Sequence, residues 1–157
     1  MIMKKTLLEK LPKEWNKTLQ GCGLTTNCSV LVGGSCVKDL DMIYIADKLD
    51  FKGLNKLKLK LENMTGTKVS ISPMTALMWA RQDLWSGKVA RMVFKGVKTL
   101  FGNVWFEKRS ITFEKVKEIT KREASTELAY YLKMAVEKPE KREKATELII
   151  QLITILI

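Results

Sequence analysis

The sequence predicts an α/β (α+β) fold: a small mixed β-sheet flanked by helices, followed by a C-terminal helical extension. Three observations carry this reading. Two short apolar runs rich in β-branched residues, 27–32 and 40–46, stand on either side of a Gly33-Gly34 turn. Segments of helical period lie between such runs rather than all after them, as a sheet with flanking helices requires. Charge also changes along the chain. Residues 1–105 carry 17 Lys+Arg against 8 Asp+Glu, whereas 106–157 carry 11 against 9 in helix-forming residues. Two regions are expected: 1–107, the sheet domain, and 108–157, a helical pair.

The elements follow in order. Leu7, Leu8, Leu11, Trp15 and Leu19 fall on one helical face, divided at Pro12, and Gly21 and Gly23 end the segment. Residues 27–32 and 40–46 read as buried strands. Leu54, Leu57 and Leu61 predict a helix over 51–64 with Lys52, Lys56 and Lys60 on another face, stopped by Gly66. Residues 68–72 alternate as a strand. Pro73 suits the first position of a helix bearing Leu77, Met78, Leu84 and Trp85. A short helix over 88–94 and a strand at 97–101 or 104–106 complete the sheet domain. Two helices, 113–137 and 139–157, are joined at Lys138-Pro139. Leu128, Tyr131, Leu132 and Ala135 mark the inner face of the first, and the wide apolar face of the second suits docking on its own core or a subunit interface.

A length of 157 residues holds one domain with an extension, and 46% hydrophobic residues are enough for a core. The net charge of +11 favours polyanionic partners such as nucleotides or RNA. The absence of His excludes Ser-His-Asp and Cys-His nucleophiles and the histidine zinc sites. Catalysis would have to use carboxylates, hydroxyls, lysines, thiols or an oxygen-held metal. Cys22, Cys28 and Cys36 lack paired spacing and read as reduced thiols, so a cytoplasmic location is expected. The apolar stretch 148–157 is half the length of a membrane span, and no membrane partner is expected.

The chemistry concentrates in residues 30–46, VLVGGSCVKDLDMIYIA. A strand delivers Gly33, Gly34 and Ser35, and the next strand opens on Asp39-Leu40-Asp41. Strand alternation puts both aspartates on one side and Leu40 on the other. Two carboxylates about 7 Å apart repel by about 2 kcal/mol at an effective dielectric near 20, and a divalent cation reverses that sign. Glycines let backbone N–H groups approach phosphates, Ser35 adds a hydroxyl, and Lys38 adds positive charge.

Gly34, Ser35, Val37, Lys38, Asp39 and Asp41 follow in the order of a known motif: strand, Gly-Ser, basic residue, Asp-x-Asp, strand. The sequence over 24–105 resembles the minimal nucleotidyltransferases of the DNA polymerase beta superfamily. The resemblance implies Mg2+ or Mn2+ on Asp39 and Asp41, a nucleoside triphosphate cradled by Gly33, Gly34, Ser35 and Lys38, and transfer of a nucleoside monophosphate to an RNA or protein hydroxyl. Two departures stand out. Lys38 abuts Asp39, where the family has several intervening residues. The family's third carboxylate belongs on the 68–72 strand, where this chain has Ser70, and Glu62 or Asp83 would have to substitute from a neighbouring helix. Two readings therefore stand: an active transferase, or a degenerate nucleotide- or nucleic-acid-binding protein or partner subunit, for example of a toxin-antitoxin pair. A homo- or hetero-oligomer through the C-terminal helix fits either.

The lysines at 52–60 with Lys88, Arg91, Lys95 and Lys98 read as solvated faces or a phosphate track. Trp79, Trp85, Trp105, Met74, Met78 and Met92 read as core.

Overall fold

The computed structural model describes residues 7–33, 39–102 and 110–157. Residues 7–9 are helical, and after Pro12 the chain forms α1 (Trp15–Gly21). The next elements are β1 (Cys28–Gly33), β2 (Asp39–Ala46), α2 (Phe51–Thr65), β3 (Lys68–Thr75), α3 (Ala76–Ala80) and a 3-10 turn at Gln82–Leu84. Then come α4 (Gly87–Lys95), β4 (Val97–Gly102), α5 (Phe113–Glu137), a 3-10 turn at Pro139–Lys141 and α6 (Arg142–Leu156). The α+β class holds, with a mixed sheet of order β3-β2-β1-β4. β1 pairs antiparallel with β2 and β4, and β2 pairs parallel with β3.

The chain gathers into two compact units, Met1–Leu84 with Lys95–Arg109, and Trp85–Phe94 with Ser110–Ile157. In the first, one sheet face is the main core. Val30, Val32, Leu40, Met42, Tyr44 and Val69 meet Trp15 and Leu19 of α1 and Leu54, Leu57 and Leu61 of α2, all buried. Each fully buried side chain of this size contributes about 1.5–3 kcal/mol. Helix α2 starts where Asp50 accepts the backbone N–H groups of Lys52 and Gly53 at 3.0 and 3.1 Å. It ends at Gly66, whose φ of +68 is the left-handed conformation that closes a helix.

Pro73 does not begin a helix. Strand β3 runs through it to Thr75, and the Thr75 hydroxyl accepts the Met78 N–H at 3.2 Å to start α3. The reason lies in the edge position of β3. Val69 directs its N–H out of the sheet to Glu62, at 3.0 Å, so by alternation residue 73 also faces outward, where a missing N–H breaks no ladder bond. The expected stripe of Leu77, Met78, Leu84 and Trp85 is likewise broken. Helix α3 stops at Ala80, Leu77 and Leu84 are exposed, and Trp85 is buried in the second unit.

In that second unit α5 and α6 form an antiparallel hairpin. Thr112 caps α5, accepting the Lys115 N–H at 3.3 Å. Glu123 accepts the Gly87 N–H at 2.7 Å, and the Arg122 guanidinium donates to the Trp85 carbonyl at 2.7 Å. Arg91 bonds Glu127 at 3.1 Å, so it is a structural ion pair within the second unit rather than part of a phosphate track. Leu132, expected on the inner face of α5, is exposed, whereas Leu128, Tyr131 and Ala135 are half-buried. No described helix is long and apolar enough to cross a membrane.

Candidate functional site

The face of the sheet opposite the main core carries Leu31 and Gly33 of β1, Asp39, Asp41, Ile43 and Ile45 of β2, and Lys68, Ser70, Ser72 and Met74 of β3. This follows from the register, in which Asp41 stands between Gly33 and Ser70, Ile43 between Leu31 and Ser72, and Asp39 opposite Lys68. The Leu31, Ile43, Ile45 and Met74 end is buried, and α3 packs against β2 and β3 with Trp79 buried. At the other end Asp39, Asp41 and Ser70 are half-buried and Lys68 is exposed. One face is thus apolar at one end and acidic at the other.

The burial pattern of β2 explains why the aspartates sit there. Leu40 and Met42 are buried in the main core, and this pins Asp39 and Asp41 to the opposite face. A one-residue slip of register would bury both carboxylates. Neighbouring strands lie about 4.8 Å apart, so Ser70 flanks Asp41 at hydroxyl-to-carboxylate range. On its other side stands Gly33, which carries no side chain.

The position at which the resemblance implies a third carboxylate is therefore adjacent to Asp41, and a hydroxyl occupies it. Neither proposed substitute fills it. The Glu62 carboxylate accepts the Lys58 ammonium at 2.8 Å and the Val69 N–H, and these two bonds hold its pKa below the usual carboxylate range. It caps the outer edge of β3 from α2, the helix on the main-core face. Asp83 pairs with Arg81 at 2.7 Å on the turn after α3. Among the described residues no three His, Cys, Asp or Glu side chains cluster as a metal centre. Gly34, Ser35 and Lys38, together with Cys36 and Val37, lie outside the described residues, as do Trp105 and the alternative strand at 104–106.

The thiols offer no second chemistry in the described residues. Cys22 and Cys28 are free and buried. Burial pushes the Cys28 thiol up to about 11, outweighing the Tyr44 hydroxyl beside it, so at neutral pH it is protonated and unreactive. A cavity of about 350 Å³ lies between α2 and the edge of β3, lined by Phe51, Leu54, Asn55, Lys58, Lys68, Val69, Ser70, Ile71 and Pro73; Ser70 and Lys68 border it, and neither aspartate does.

Neither a protein-family model nor a curated protein matches this chain. It is similar to a chain of a solved structure described as a tri-AMPylated Shewanella oneidensis HEPN toxin in complex with an MNT antitoxin. The likeness spans 78% of this chain and 92% of that one, at 17% identity and a TM-score of 0.44.

Proposed function

We propose that the sheet domain binds a nucleoside triphosphate together with a divalent cation at Asp39 and Asp41, and that it acts as a degenerate nucleotidyltransferase-like binding subunit rather than an efficient transferase. The observation that carries this reading is the register of Asp41 between a glycine and a serine. Two same-face carboxylates beside a strand end without side chains form an all-oxygen donor set suited to Mg2+ or Mn2+. The cation, when bound, would neutralise phosphate charge and polarise the phosphorus, and Asp39 and Asp41 are the residues that would hold it.

The chain's own groups then set the limit on chemistry. The Gly33 corner admits the phosphates, and Gly34, Ser35 and Lys38 are assigned to cradle them by the resemblance alone. The Ser70 hydroxyl is neutral near pH 7, so it adds no charge to a cation and takes no proton from an acceptor hydroxyl. With Glu62 and Asp83 engaged elsewhere, the acceptor side of the site has no base among the described residues. Binding is retained in this reading and group transfer is lost or slow.

Calorimetric titration with Mg-ATP and Mg-GTP tests the assignment. The wild-type chain is expected to bind, and Asp41→Asn to weaken binding at least about tenfold, the equivalent of about 1.4 kcal/mol. Binding heat that survives the substitution unchanged would remove the metal site from the reading. Labelled-triphosphate turnover with a tRNA pool and candidate proteins separates the two functional classes: background turnover is expected, and robust transfer by the wild-type chain would restore the transferase reading.

A further inference from the structure

Helix α6 is apolar on two sides about a third of a turn apart. Ala145 and Leu152 are buried and Leu148, Ile149, Ile155 and Leu156 half-buried on the side toward its own unit. A second row, Thr146, Ile150, Ile153 and Ile157, is spaced four, three and four residues apart and exposed, Ile150 by 58% and Ile153 by 43%. Helix α5 repeats the device. Its inward side carries Val116, Ile119 and Thr120, while Ser125, Ala129, Leu132 and Val136, again spaced four, three and four, are exposed, Leu132 by 56% and Val136 by 76%. Neither outer row contains a charge. An exposed apolar row alongside a face already buried calls for a further cover, and a four-three-four row is the pattern by which one helix seats its side chains between those of another.

We propose that these two outer rows form the interface of a homodimer, in which the α5–α6 hairpin of one copy packs on that of a second as a four-helix bundle. Charge favours a second copy as the occupant. The second unit, residues 85–94 and 110–157, carries eleven Lys+Arg against eight Asp+Glu, so two such units repel only weakly, whereas residues 1–84 and 95–109 carry 17 against 9 and repel their own kind more strongly. A strongly acidic partner would be drawn to the latter and would gain nothing from uncharged rows. The exposed parts of Leu132, Val136, Ile150, Ile153 and Ile157 amount to roughly 600 Å² per copy, or about 1,200 Å² for two, the area at which specific interfaces begin. Four-helix packing of paired antiparallel hairpins is also a common way to bury such rows.

Light scattering on the size-separated full chain reads the result directly. The wild-type protein is expected at about twice its 18.0 kDa monomer mass. Ile150→Lys and Ile150→Glu chains are each expected at the monomer mass with unchanged circular dichroism, because the side chain is exposed within the monomer. A monomeric wild-type chain, including one that associates only with a different helical protein, overturns the proposal. So do Ile150 variants that stay dimeric.

Discussion

Replacing Ser70 with Asp is expected to turn the two-carboxylate site into a three-carboxylate one, with opposite effects on stability in the absence and presence of metal. Position 70 lies in register with Asp41 on the same sheet face, so a carboxylate there stands about 5 Å from that of Asp41. At an effective dielectric near 20 such a pair repels by about 3 kcal/mol, and the new group also sees Asp39. In EDTA the variant should therefore melt below the wild-type chain. Added Mg2+ should reverse the order, because a third charged oxygen ligand is expected to tighten cation binding by about tenfold or more. Turnover of Mg-ATP should rise above the wild-type background, since the acceptor side gains a base. Differential scanning calorimetry of both chains in EDTA and in Mg2+ checks the first part, and labelled-ATP turnover checks the second. A Ser70→Asp chain whose melting ignores Mg2+ would show that position 70 does not share a site with the aspartates.

Leu40→Ala is expected to cost about 2–5 kcal/mol of stability, the range for truncating a fully buried leucine. Leu40 is 0% exposed and lies between Asp39 and Asp41 on the opposite face of β2. Its burial among the main-core residues sets which way the two acids point. The loss should therefore appear in nucleotide binding as well as in the chemical-denaturation midpoint. Leu59→Ala on α2, where the side chain is 50% exposed, should change stability by no more than about 0.5 kcal/mol. Equal effects from the two substitutions would contradict the description of the core.

Where the sequence was readable, hydrophobic period and punctuation agreed. The run 40–46 lies in β2, Gly66 closes α2, and α5 spans residues 113–137 as its pattern indicates. The misread elements were decided by tertiary context. Pro73 looks like a helix start in isolation, and only the outward side of an edge strand makes it acceptable in β3. Arg91 looks like a free cation until α5 brings Glu127 to it across 36 residues. The site was legible in part: alternation alone places Asp39 and Asp41 on one face. That Ser70 is the neighbour of Asp41 depends on the parallel β2–β3 register, which single-strand patterns do not specify. The engagement of Glu62 by Val69 could not be read from the sequence for the same reason.

Titrating Mn2+ and ATP into the isotopically labelled chain and following paramagnetic broadening locates the cation without reference to activity. The amides of Gly33, Asp39, Asp41 and Ser70 are expected to broaden together at the lowest Mn2+ additions, because the sheet register puts all four within two strand spacings of the acids. The same additions to Asp41→Asn should leave them sharp. Broadening that begins instead at the glutamates of α5 and α6, or that persists at these four residues in Asp41→Asn, would contradict a nucleotide-bound cation held by Asp39 and Asp41.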